Sequence, residues 1–152
     1  MTNVNFYHLK TINIYLALTK LLEKALPNEK NILVRTDSSR ITNEIDEFLW
    51  SYDLSSFIPH SKLGDQDFKM SPIYITDEEN NLNNADILFI MSTPKFSVQE
   101  ILTLKRTFIL FNNNDLEFLK LIENVWLKLE DSEIERNYWV QEREGWKLKT
   151  FK

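Results

Sequence analysis

Ser55, Ser56, His60, Asp65 and Asp67 stand close together in one stretch of the chain. A hydroxyl, an imidazole and a carboxylate are the parts of nucleophilic hydrolysis, with the imidazole taking the hydroxyl proton and the carboxylate orienting it. One reading of the chain is therefore a small α/β hydrolase or nuclease working through His60 and nearby carboxylates. However, no G-x-S-x-G elbow is present to lift a serine out of the fold, and linear proximity gives no geometry. The plainer reading of His60 is a capping or surface residue after Pro59. The same stretch supports a different chemistry. Trp50, Phe57, Pro59 and His60 gather large, rigid side chains near a turn, and binding energy in protein interfaces concentrates in such anchors.

Phosphate and metal chemistry find less support. The chain holds two glycines, Gly64 and Gly145. Neither the P-loop nor the dinucleotide fingerprint can be built from them, and both need glycine for close backbone approach to phosphate. The histidines, His8 and His60, are far apart in sequence, and Asp77-Glu78-Glu79 lacks the spacing of a calcium loop. There is no cysteine, which removes disulfides and thiol catalysis. No cofactor and no metal site is expected.

The elements that must position these residues read as alternating strands and helices. Val4, Phe6 and His8 alternate with polar residues as a first strand. Ile14, Leu18, Leu21, Leu22 and Ala25 recur at helical spacing, and that helix stops before Pro27. Asn31–Arg35 is a strand. Asp37, Ser38 or Ser39 caps a helix with Ile41, Ile45, Phe48 and Leu49 on its apolar face. Ser51 to Pro72 reads as a long loop. Strands follow at 72–76, 86–91 and 107–111, with a short helix around Val98 to Lys105. Asn112 to Asp115 is a turn and cap before the strongest helix, Leu116 to about Glu130, and Asn137 to Leu148 is a hairpin around Glu144-Gly145. This order predicts an α/β fold: one three-layer domain over residues 1–152 with a mostly parallel sheet.

The chain has 152 residues, 43% of them hydrophobic and 27% charged, ordinary values for a globular protein. Its net charge of −5 argues against gripping nucleic acid as the main task, since phosphate neutralisation supplies most of that affinity. A local basic patch is still compatible with it. No basic n-region precedes an apolar segment at the start, and no apolar run reaches the roughly 20 residues of a membrane span. A soluble, cytoplasmic protein is expected, with no membrane partner.

Two tryptophans matter most. Trp50 ends a helix, where it either closes the core or stands beside Phe57 as a docking surface. On the long helix, Phe118, Ile122, Val125 and Leu129 form the core stripe. Leu119, Glu123 and Trp126 form the neighbouring one, so Trp126 sits at the edge of the buried face.

Several segments carry a family resemblance: Asn5-Phe6-Tyr7, Ile45–Trp50 leading to Ser56-Phe57-Ile58-Pro59-His60, Leu110 to Asp115, and Tyr138-Trp139-Val140-Gln141. The Phe-x-Pro-His element after a Trp is the most specific. Together they resemble the chi subunit of the bacterial DNA polymerase III holoenzyme, a clamp-loader accessory protein. The resemblance implies a non-catalytic adaptor with a nucleotide-binding-like topology that lacks the P-loop. It implies two partners, the psi subunit and the acidic, Phe-ended C-terminal tail of single-stranded-DNA-binding protein, with DNA touched only indirectly. Trp50, Phe57, Pro59 and His60 match the family's patch for psi or a helicase. Trp126 matches the aromatic of the tail site, with Leu119, Glu123, Lys120 and Lys128 around it. The family surrounds that aromatic with basic residues, and here those positions read Leu119, Glu123 and Leu127. Lys120, Lys128, Arg106, Lys147 and Lys149 are the cations available to replace them.

Overall fold

Strands that read as near-continuous apolar runs become the centre of a sheet covered on both faces. In the computed structural model, which describes residues 2–10, 13–27, 31–52, 58–66, 68 and 71–149, these are β2 (Ile32–Arg35), β4 (Ile73–Thr76) and β5 (Ile87–Met91), buried at every position. β1 (Asn3–Leu9), β3 (His60–Lys62), β6 (Arg106–Asn112), β7 (Glu135–Glu142) and β8 (Gly145–Lys149) complete the sheet. Its order is β3-β4-β2-β5-β6-β1-β7-β8. Every pairing is parallel except the β7–β8 hairpin. Gly145 opens β8 at φ +128°, a backbone conformation that a side chain would strain.

The helices are α1 (Ile14–Ala25), α2 (Ser39–Ser51), α3 (Val98–Thr103) and α4 (Leu116–Lys128). Each starts on a side-chain cap: Asn13, Ser38, Ser97 and Asp115 accept from a backbone N–H of the first turn, which satisfies an otherwise orphaned donor. α1 and α2 cover one face, packing Leu18, Leu22, Ile45 and Leu49 on Val34, Phe89 and Leu110. α3 and α4 cover the other, packing Ile101, Phe118, Ile122 and Val125 on Phe6, Leu88 and Ile109. Adjacent strand residues enter opposite cores, as the two-residue period requires. This is the expected three-layer α/β architecture with a mostly parallel sheet.

The connections run one way from β2 through α2 and the other way from β5 through α3, so the crevice beyond these neighbouring strands is the switch point where α/β folds place a ligand. Here it is filled from within. Arg35, fully buried at the end of β2, donates to both carboxylate oxygens of Glu100 at 2.5 and 3.0 Å and to the carbonyls of Lys95 and Asn80. Thr93 donates to Asp37 across the same crevice at 3.0 Å.

The structure departs from the expected elements in three places. The stretch read as loop contains β3, whose three residues pair with β4; a strand that short leaves no period to read. α4 ends at Lys128, where the chain tightens after the Leu129 cap and the Glu130 N–H donates to the Leu127 carbonyl, three residues back instead of four. β7 begins at Glu135, two residues before the expected hairpin, held by its pairing with β1.

Candidate functional site

α4 and the β7–β8 hairpin meet over the β1 end of the sheet. They leave between them an open cavity of about 460 Å³, lined by His8, Leu119, Ile122, Glu123, Trp126, Leu127, Tyr138 and Lys149. The spacing on α4 accounts for the wall: Leu119, Glu123 and Trp126 lie three and four residues apart and share one helix face. The register accounts for the floor, since Phe6 pairs with Tyr138 and Tyr138 with Lys149.

Trp126 is half-buried. Its ring packs edge-on against Phe6 at 5.3 Å and Tyr138 at 6.0 Å. The Arg136 guanidinium lies 4.2 Å from its centroid and also donates to the Trp126 carbonyl. That contact fixes the indole and places a cation behind it. Lys149 reaches over the Tyr138 ring at 5.8 Å. Burial pushes the Tyr138 hydroxyl up to about 12, with the Glu123 carboxylate adding to the shift. The hydroxyl donates to His8 Nδ1 at 2.9 Å, while His8 Nε2 meets the side-chain oxygen of Asn113. Burial pulls His8 below its ordinary value of 6.5, against the hydrogen bond to Asn113 and with a small contribution from Lys10 and Lys149. The neutral ring, proton on Nε2, therefore satisfies both neighbours.

Leu119, Glu123 and Trp126 thus come together as the sequence implied. Lys120 is exposed on α4 outside this cavity, and Lys128 lines a separate groove with Phe96 and Leu121. The cation on the rim is Lys149. The sequence reading missed His8, Tyr138 and Arg136 as parts of this site. The only signal for them was the period-two alternation that puts Phe6 and His8, and Arg136 and Tyr138, on one sheet face.

The second candidate patch lies at the end of α2. Trp50 is 54% exposed, so it does not close the core. Its ring rests on His60 at 5.0 Å. Pro59 is partly exposed beside it, and Phe57 lies outside the described residues. His60 is not the surface or capping residue expected: it sits on β3 with a side chain fully out of solvent. Its Nδ1 donates to the Ile58 carbonyl at 2.7 Å, and Nε2 lies 3.1 Å from Asp46. A ring so enclosed has no face for a substrate, which removes the geometric basis of the hydrolase reading. Ser55, Ser56 and Asp67 lie outside the described residues, and Asp65 accepts from the Lys62 N–H in a turn. Among the described residues no three histidine or carboxylate side chains converge as metal ligands. No helix among them is long and apolar enough to cross a membrane.

Helices wound on both faces of a parallel sheet make this a doubly wound α/β protein, of the class that commonly binds nucleotides, here with an ion pair in the ligand crevice. The family described as "DNA polymerase III chi subunit, HolC" matches residues 1–136, and the chain belongs to that family. A curated relative, "Probable DNA polymerase III subunit chi" of Rickettsia prowazekii (strain Madrid E), is 36% identical over 93 residues. The match covers 60% of this chain and 56% of that protein, so the chain spans little more than half the length of the relative.

Proposed function

We propose that this chain is a cytoplasmic, non-catalytic adaptor of the DNA polymerase III clamp loader in DNA replication. In this reading it binds the psi subunit through the patch around Trp50 and the acidic C-terminal tail of single-stranded-DNA-binding protein in the cavity beside α4. The observation that carries the tail assignment is an apolar, open cavity walled by the Trp126 ring with Lys149 at its rim. A Phe-ended acidic peptide needs a slot for its ring and a cation for its carboxylate. Leu119, Ile122, Trp126 and Tyr138 offer the slot, and Lys149 offers the cation. Glu123, on the same wall, opposes it. In the psi patch, His60 acts as the platform under Trp50, Pro59 adds to that surface, and Phe57 is the further residue assigned to psi or helicase contact in this reading.

The test is fluorescence polarisation with a labelled peptide copying that tail. Trp126 packs on Phe6 and Tyr138, so charge variants separate binding from folding better than its truncation does. Lys149→Glu should weaken binding tenfold or more, about 1.4 kcal/mol. Glu123→Lys should tighten it, and both effects should shrink at high salt. Binding indifferent to both substitutions would overturn the tail assignment. Loss of psi capture by Trp50→Ala, with tail binding intact, is the matching expectation for the other patch.

A further inference from the structure

The sheet face opposite the α4 cavity has its own concavity, about 680 Å³, where α1 stops short of the hairpin. Its floor is aromatic. Tyr7 lies nearly parallel to Trp139, 6.3 Å apart at 16°, and Trp146 stands perpendicular to Tyr7 at 5.0 Å. Trp146 and its face neighbour Leu148 are 36% and 48% exposed. Lys20 and Lys24 from α1 form the opposite wall, with Glu23 between them. Both lysines are exposed. They lie one helical turn apart on the same face, so they present a line of positive charge rather than a point. Arg106, two residues before the Phe108 that stacks on Tyr7, falls on the same sheet face by strand alternation. Around the hairpin edge, Lys10, Lys147 and Lys149 line a further groove with Glu142. In a chain of net charge −5, this end is locally positive.

We propose that this cleft binds single-stranded nucleic acid directly, with bases stacking on Trp146 and Trp139 and phosphates lying along Lys20 and Lys24. Flat aromatic faces beside a row of cations are the recurring recipe for sequence-tolerant single-strand binding. A row suits a repeating phosphate better than the single terminal carboxylate of an acidic peptide. The site lies across the sheet from Trp126, so it works independently of the tail-binding reading, and it gives the chain a contact with the strand that does not run through a protein partner.

The test is fluorescence anisotropy of the full chain with a labelled oligothymidylate of about 16 nucleotides, the upper end of single-domain site sizes. The expected result is binding whose logarithm falls with log salt at about −1.4, the slope for two neutralised phosphates on a single strand. Trp146→Ala should weaken it about tenfold, within the range for one lost stacking partner. Lys20→Gln with Lys24→Gln, both on an exposed helix face, should flatten the salt slope. Lys120→Gln, which removes an exposed cation on α4 across the sheet, should leave it unchanged. The proposal is overturned by absence of binding at low salt, by binding that survives both the Trp146 and the lysine variants, or by an acidic peptide that displaces the oligonucleotide through Trp146.

Discussion

Arg35 is a full charge in a place where water does not reach. Its side chain is 0% exposed, while that of Glu100, its bidentate partner, is 26% exposed. Its Nε has no hydrogen-bond partner among the described residues. Such a pair is held by geometry: removing one member leaves the other charge buried and uncompensated, which costs about 3–5 kcal/mol. Glu100→Ala should therefore lower unfolding stability by about that amount in a urea titration. The double change Arg35→Met with Glu100→Leu should recover most of the loss, because both charges then leave together. A single variant as stable as the natural chain would mean that the carbonyls of Lys95 and Asn80 suffice for the guanidinium. No pattern along the chain announces this pair. Arg35 ends an apolar run and Glu100 lies far along the chain, and only the neighbouring of β2 and β5 brings them together.

At the scale of elements, α4 matters most, since it supplies Leu119, Glu123 and Trp126 to the proposed tail site. Its first turn hangs on Asp115, whose carboxylate accepts from the Phe118 N–H at 3.0 Å and complements the positive end of the helix. Asp115→Ala should cost about 1 kcal/mol, the usual worth of such a cap. It should also weaken the tail peptide although Asp115 does not line the cavity, because Leu119 sits on the turn that frays. Equal peptide affinity in the variant, measured beside its lowered thermal midpoint, would show that turn to be held by packing alone. This helix was legible in the sequence because an Asp cap, a core stripe and a neighbouring stripe agree over many residues. β3 was not, because it is short and polar and exists through its pairing with β4. The tail site was half legible: the α4 side follows from helical spacing, whereas His8, Tyr138 and Lys149 arrive through strand register, which a single sequence does not state.

Across the whole molecule, several titrating groups set a window of stability. Two have folded values held down. His8 is lowered by burial. Glu44 is lowered by the hydrogen bond it accepts from Tyr15, and also by Arg40. For both, the unfolded chain binds more protons, so stability falls as pH falls. His8 loses its contribution from its ordinary 6.5 downward, and Glu44 from its ordinary 4.5 downward. Four tyrosines act in the opposite sense: burial raises Tyr7 and Tyr74, and Tyr15 and Tyr138 move furthest. Burial, with the neighbouring Glu44 for Tyr15 and Glu123 for Tyr138, raises these last two from 10.0 to about 12. Their contribution is complete below 10.0 and is lost as pH rises through about 12. The expected curve is a plateau between roughly pH 6.5 and 10 with a descent on each side. Urea midpoints taken across that range check it. His8→Gln should remove the step just below pH 6.5 while leaving the one near 4.5. If that first step persists in the variant, its origin is not the His8 ring held between Tyr138 and Asn113.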